Sequence, residues 1–566
     1  MKLNARTRTR LCGSRLRRTA AALIALAIAS AGSAQDAPAD AAAAQEELQF
    51  DVMEYAVRGN SMLTAAEIQR ALMPHTGYTK RVADVMAARA ALEEAYRQRG
   101  YQTVVVEVPQ QDVSSGVVEL AVVEGRIGNV RVVGADYVLP SEVRGSIPSL
   151  RKGNVPSVPL LQQELTQSNG RATRTITPEF RAGIAPGTVD VDLIVDDKRP
   201  WGVSAELSDQ YNRSTERLRA SVAARYDNLW QAGHSANAAF QFAPEAPDQV
   251  QAISGSYYAP LGYSRTSLLA YAVNSNTDVA TVGGLAVIGN GLTLGGRLIR
   301  TLGGSPPGVV QSLMFGADYK DYLDQIGLTD PATGELLTFD TPVTYLPFST
   351  QYRWITVRDG MSAEFSLGAT FAFDGLVGRQ WQFGGIPADP FDPDSRAVPG
   401  KRENSQASFL YFTGSARVEE KLGERLDAKL ALDWQLATSP LISNEQFVLG
   451  GLASVRGYRE AEALGDSGAR ASFELGYRPP VGDQIDWRIA AFLEGGYAWV
   501  ERPLPDEVTT FKLGSAGLTT SFDVLGYLFG QFDLAYQFDP DPTRSGTAVD
   551  ADLDDIRAHF KVGVKY

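Results

Sequence analysis

From Trp201 to Tyr566 apolar and polar side chains alternate with a period of two, and this pattern limits the fold of the 566-residue chain more than any other feature. In RLRASVAARYD the residues Leu218, Ala220, Val222, Ala224 and Tyr226 alternate with Arg217, Arg219, Ser221, Ala223, Arg225 and Asp227. In RLDAKLALDWQL the residues Leu426, Ala428, Leu430, Leu432, Trp434 and Leu436 alternate with Asp427, Lys429, Ala431, Asp433 and Gln435. GQFDLAYQFD and the closing RAHFKVGVKY repeat the scheme. A soluble sandwich also alternates. These runs, however, are about ten residues long, which suits a tilted membrane crossing better than a globular strand of about five or six. Their polar faces carry charge and their apolar faces end in Tyr, Phe and Trp, as expected of a watery lumen opposite a lipid face with an aromatic girdle. The last strand ends on an aromatic, which suits a strand that closes a wall. A transmembrane antiparallel barrel over 199–566 is therefore expected. Sixteen strands would give each strand and its connection about 23 positions. TLGGSPPG, GLTDPATGELL and GGIPADPFDPDSRAVPG are expected to be long external loops.

The first 34 residues differ from the rest. Seven basic residues precede the apolar run AAALIALAIA and the small residues SAGSAQ, the order of a secretory signal cleaved after Ala34. Its loss would remove Cys12, the one cysteine, and take the net charge from −13 to −20. No other segment approaches 18 consecutive apolar residues, so helical spans are not expected, whereas a barrel hides in such hydropathy. An acidic exported chain without basic clusters is a poor candidate for nucleic-acid binding. His75, His234 and His559 lie far apart without metal-ligand spacing and read as ordinary surface or lumen residues. No cofactor or metal site and no nucleophile–base set is expected, so the chain does not read as an enzyme.

Between these segments, residues 35–47 read as a linker or short helix, too short for a full pore plug: 13 residues span about 20 Å even if helical. Two units of the same element order follow. In 48–126, the strand FDVMEYAVRGN precedes a helix with Thr64 and Glu67 as a capping box. A longer helix follows, with Val82, Val85, Met86, Ala90, Leu92 and Tyr96 roughly along one stripe, ended by Gly100. Two strands close the unit. In 127–198, GNVRVVGAD is the first strand, LPSEVRGSI and PLLQQELTQSNG are helices, EFRAGIAPG holds the next strand and VDVDLIVDDKRP the last. Each is a small α+β unit with one helical layer on a sheet, whose open edges can accept an extended peptide.

One loop stands out. In GGLASVRGYRE, Arg456 lies between Val455 and Gly457, with Tyr458 following. A surface arginine needs no such setting. An arginine that must reach a buried carboxylate does, because glycine lets the backbone turn tightly and approach another wall.

Two β-α-α-β-β modules before a barrel, with VRGY at Val455, Arg456, Gly457 and Tyr458, resemble the TpsB transporters of two-partner secretion in the Omp85 superfamily. The resemblance implies α+β POTRA domains in the periplasm, followed by a barrel in the outer membrane of a Gram-negative bacterium. It also implies that VRGY tips a sixth external loop folded into the lumen, its arginine meeting an acidic residue in a wall motif F-x-D-x-G. AFLEGGYAW matches at Phe492, Glu494 and Gly496, with glutamate in place of aspartate. Strand parity puts Arg488, Ala490, Phe492 and Glu494 on one face and Trp487, Ile489, Ala491 and Leu493 on the other, so Glu494 faces the lumen if the apolar set faces lipid. The function implied is translocation of an unfolded exoprotein of the haemolysin or adhesin type to the cell surface. Its partners would be that client at the POTRA domains and lumen, outer-membrane lipid, and the barrel-assembly machinery during insertion. The alternatives are an insertase of the same superfamily, which typically carries more POTRA units, and a porin-like solute channel.

Overall fold

Glu67 accepts hydrogen bonds from the Thr64 backbone N–H (2.9 Å) and hydroxyl (2.7 Å), starting the first helix. The Arg99 guanidinium at 2.6 Å, together with these donors, holds the Glu67 carboxyl down at about 2. The computed structural model in which this is seen describes residues 49–566 apart from 170–173, 213–214, 263–264, 278, 283–284, 289, 305, 307, 330–335, 387–397, 399, 483, 506–507 and 539–555. The signal, the linker and any plug fall in 1–48, outside the described residues.

The first module runs β1 (Phe50–Val52), β2 (Glu54–Arg58), α1 (Ala65–Leu72), β3 (Gly77–Lys80), α2 (Val82–Gln98), β4 (Val104–Glu107) and β5 (Val117–Glu124). Strand order is β2-β5-β4, with β2 parallel to β5. The segment read as one strand is two. Met53 and Glu54 both donate to Gly116 O, which hands the chain from the β1–β3 pair to the main sheet. The α2 stripe is also narrower than expected: Val85, Ala88, Leu92 and Tyr96 are buried, while Val82, Met86 and Ala90 are exposed. At about 100° per residue the exposed three lie on the neighbouring arc of the helix.

The second module comprises β6 (Arg126–Val133), α3 (Pro140–Gly145), α4 (Val158–Asn169), β7 (Arg174–Ala182) and β8 (Thr188–Asp197), in sheet order β6-β8-β7. The expected strand in EFRAGIAPG instead starts at Arg174, with Ile176 in the core. Pro178 masked it in the sequence. Proline is tolerated there because β7 is an edge strand. The modules are clasped together: Val158 N donates to Gly100 O (2.9 Å), and Gly100, at φ +88°, leaves room for Pro159.

Sixteen antiparallel strands then close a barrel, in the order in which they occur along the chain. They are β9 (Trp201–Ser208), β10 (Arg219–Leu229), β11 (His234–Phe242), β12 (Gln251–Pro260), β13 (Thr266–Ser275), β16 (Gly291–Thr301), β17 (Val309–Thr329) and β19 (Phe348–Arg358). Then come β20 (Met361–Ala372), β21 (Phe409–Lys421), β22 (Leu426–Ala437), β25 (Ser467–Tyr477), β26 (Ile485–Trp499), β27 (Thr510–Val524), β28 (Leu528–Gln537) and β29 (Ile556–Lys565). Loop excursions hold β14 (Val279–Val282) with β15 (Leu285–Ile288), α5 (Gln380–Gly384), and β23 (Phe447–Leu449) with β24 (Ala463–Gly465). β18 (Leu336–Tyr345) extends a hairpin from the far half of β17. The ring closes where β29 meets β9, from Lys561↔Ser208 to Lys565↔Ser204.

Alternation sorts the two faces of the wall. Leu426, Leu430, Leu432 and Leu436 of β22 point outward and are exposed, whereas Asp427 and Gln435 are buried inside. At the module end, the Arg199 guanidinium lies 3.8 Å from the Tyr566 ring and 4.5 Å from Trp201, part of an aromatic girdle at that rim. Of the three expected external loops, GLTDPATGELL lies at the β17–β18 tip and GGIPADPFDPDSRAVPG follows β20, both at the far end, although 330–335 and most of 387–399 fall outside the described residues. TLGGSPPG is corrected: it joins β16 to β17 at the module end, because turn composition signals a bend but not its side.

Leu432 lies near mid-strand on the outer face, so Leu432→Lys should destabilise the barrel by about 2–4 kcal/mol, read by urea unfolding in lipid vesicles.

Candidate functional site

The excursion from β22 to β25 spans residues 438–466 and folds into the bore as a ribbon, β23 pairing antiparallel with β24. Beyond this pair, Gly450 and Gly451 take φ of +96° and +104°, values that a side chain would strain. Its seat is apolar: Leu449, Val455, Tyr458 and Ala463 pack on Ala498 and Leu513 of the wall. Gly496 makes this possible, since a Cβ there would come within 2.6 Å of Leu449. The Tyr458 hydroxyl donates to Gly514 O at 3.0 Å.

Arg456 lies at the ribbon tip and is only 4% exposed. Its Nε and Nη2 donate to Glu494 Oε1 at 3.0 and 2.6 Å, and its backbone N–H donates to Oε2 at 2.7 Å. Nη2 also reaches Glu474 Oε1 (2.8 Å), and Nη1 reaches Asp533 Oδ1 (3.2 Å). The guanidinium carbon stands 3.7 Å from the Phe492 ring centroid. That ring lies across Gly517, its register partner, where a Cβ would come within 2.6 Å. The side chains of Phe492 and Glu494 and the bare Cα of Gly496 thus meet the loop at three places: a face for the cation, a carboxylate for the fork, and room for Leu449. Glutamate stands where the family motif has aspartate, and its two oxygens accept from both the guanidinium and the backbone N–H of Arg456. A buried guanidinium is costly unless paired, and removing one partner from such a pair typically costs about 3–5 kcal/mol.

Other groups in this cluster were not singled out from the sequence. Arg488 donates to Glu474 (2.7 Å) and Asp427 (2.9 Å), so Arg456 and Arg488 share a chain of carboxylates along the inner wall. Ser472 donates to Glu494 Oε1 at 2.9 Å. His559, read as an ordinary surface or lumen residue, is corrected: it is buried, and its Nε2 accepts the Gly457 N–H at 3.1 Å while Nδ1 faces Asp209 Oδ2 at 3.2 Å. The Nδ1–H tautomer satisfies both contacts. Gln537 donates to Gly457 O. Strand parity does place Glu474, Asp533 and His559 on inner faces, but it carries no sign of which inner residues a folded loop will reach. Beside Arg456 a polar cavity of about 210 Å³ is lined by Arg417, Asp433, Ser454 and Arg470, among others. That is room for water molecules and not for a polypeptide.

The model for the POTRA domain, ShlB-type, matches residues 50–125, and that for the haemolysin secretion/activation protein ShlB/FhaC/HecB matches residues 187–303 and 349–520. The chain is 24% identical over 514 residues to the outer membrane transporter CdiB of Escherichia coli O6:K15:H31 (strain 536 / UPEC), covering 85% of this chain and 78% of that protein. It is 20% identical over 499 residues to the heme/hemopexin transporter protein HuxB of Haemophilus influenzae (strain 86-028NP), covering 85% and 82%. The solved structure of CdiB from Escherichia coli superposes with a TM-score of 0.61 at 19% identity, over 94% of this chain and 93% of that one. The chain belongs to the ShlB/FhaC/HecB family of haemolysin secretion/activation proteins, and is a two-partner secretion transporter of the outer membrane.

Proposed function

We propose that two periplasmic POTRA domains, 48–126 and 127–198, capture an unfolded exported client, which then threads the 199–566 barrel as the loop bearing Arg456 gives way. Residues 1–34 act as the export signal and 35–47 as a linker. The observation that carries this reading is the buried cluster around Arg456. A loop lying in the bore obstructs passage, and an ion-paired arginine holds it by contacts that exchange with water or with other partners when it moves. Val455, Gly457, Tyr458, Phe492, Glu494 and Gly496 act with Arg456 in seating the loop.

The client docks along the module sheet edges. Edge strand β7 supports this, with Phe180 exposed on it and Ile184 exposed in the turn that follows. Outer-membrane lipid covers the apolar wall, and the barrel-assembly machinery inserts it. The chain catalyses no reaction of its own: it works as a conduit, and folding of the client outside biases the direction, since a folded segment cannot return.

Arg456→Ala frees the loop but also removes the contact that guides and reseats it during passage, so it should lower secretion of the client by about tenfold or more while the barrel still inserts and keeps its heat-modifiable gel mobility. Wild-type secretion by that variant removes the loop from the mechanism. Phe180→Asp with Ile184→Asp should weaken client capture by about tenfold in a pull-down on the full transporter, at unchanged barrel insertion.

A further inference from the structure

Eleven positions before Arg456, the same loop carries a second buried charge. Glu445 ends the short turn Ser443–Glu445 and is 4% exposed. Its Oε1 lies 2.5 Å from Lys320 Nζ and accepts the Tyr345 hydroxyl at 2.6 Å, while Oε2 accepts the Tyr411 hydroxyl at 2.7 Å. Gln435 Nε2 donates to the Glu445 carbonyl at 2.9 Å. These partners come from β17, β18, β21 and β22. Just before them in the loop, Leu441 and Ile442 are buried in an apolar cluster with Phe383 of α5, Tyr345 and Phe409. Asp466, at the other root of the loop, accepts from Arg402 (2.6 Å), from Leu441 N (2.8 Å) and from Glu501 N (2.7 Å), tying in the loops on either side.

The placement of the two charges matters more than either alone. In the sixteen-strand ring β17, which holds Lys320, is the seventh strand, and β28, which holds Asp533, is the fifteenth. Those two strands are eight apart, and the remaining partners fill the wall between them: Tyr411 and Gln435 stand on the tenth and eleventh strands, Glu474 and Glu494 on the twelfth and thirteenth, so the two sets take neighbouring arcs that meet between β22 and β25. Glu445 fastens the loop to one arc and Arg456 to the next. A loop held at both places still lies in the bore when only one of them is freed.

We propose that the Lys320–Glu445 pair, with Tyr345 and Tyr411, is a second latch on this loop, and that the bore opens to a client only when both latches have let go. The proposal rests on the reading that the loop leaves the bore. Secretion by Arg456→Ala tests that reading, whereas the comparison below tests the second latch by conductance and needs no client.

Planar-bilayer recordings of the full transporter compare the parent, Arg456→Ala, Glu445→Gln and the combined variant, each first checked for heat-modifiable folding. Gln in place of Glu445 keeps the shape and removes the charge. If the latch exists, Glu445→Gln raises the frequency of large openings by about tenfold, and the combined variant by about the product of the two single factors, because opening must break both contacts. Openings in Glu445→Gln at the parent level, with the combined variant no different from Arg456→Ala, overturn the proposal. Should Glu445→Gln fail to fold, Tyr411→Phe, which deletes one hydrogen bond to the same carboxylate, must raise openings in the same direction by a smaller factor. A parent-like record from that variant overturns it equally.

Discussion

A guanidinium with almost no exposure to water, held by three carboxylates and an aromatic face, is the contact on which the rest of this structure turns. Burying that charge is expensive, and the cost is offset only where the wall supplies Glu494, Glu474 and Asp533 at hydrogen-bonding distance. Those carboxylates stand on β26, β25 and β28, whose registers are set by backbone pairing and whose outer faces must be apolar. The closed barrel therefore has two tasks. It shields its backbone from lipid by leaving no strand edge, and it holds a charged inner surface in fixed geometry for a loop that has no such rigidity of its own.

The loop is bound in a way suited to release. Its root is anchored by Leu441 and Ile442, but at the tip the apolar seat is small, made by Leu449, Val455, Tyr458 and Ala463, and the remaining hold there is ionic and hydrogen-bonded, made beside a polar cavity. Contacts of that kind can be exchanged for water more readily than a large apolar interface. His559 extends the seat to the seam, since it joins the loop at Gly457 to Asp209, just after β9, from its place on β29. The modules are likewise tied to the barrel rim, where the Gln231 side chain bonds the backbone of Tyr137 and Leu139 at the start of α3.

Much of this was legible in the sequence. Period-two alternation sorts Leu430 and Leu432 from Asp427 and Gln435 because lipid and water make opposite demands on neighbouring residues of one strand. The pairing of the Arg456 and Glu494 motifs was implied by the resemblance to two-partner secretion transporters, and strand parity added only that Glu494 faces inward. Glu474, Asp533 and Glu445 left no mark in the chain: an inner-face acid looks the same whether it meets a loop or solvent, and only tertiary placement tells them apart. The side on which TLGGSPPG lies was hidden for a related reason, since a turn records a reversal and not the number of crossings before it. Pro178 concealed β7 because proline argues against a strand unless its edge position is already known.

On the proposed mechanism the loop tip leaves its seat when a client occupies the bore. A photo-crosslinking residue at Ser454, which faces the luminal cavity with Asp433 and Arg470, reads this directly in cells carrying a stalled client. Adducts to the wall formed by the resting transporter are expected to give way to adducts with the client. Unchanged wall adducts while the client is lodged in the barrel would contradict it.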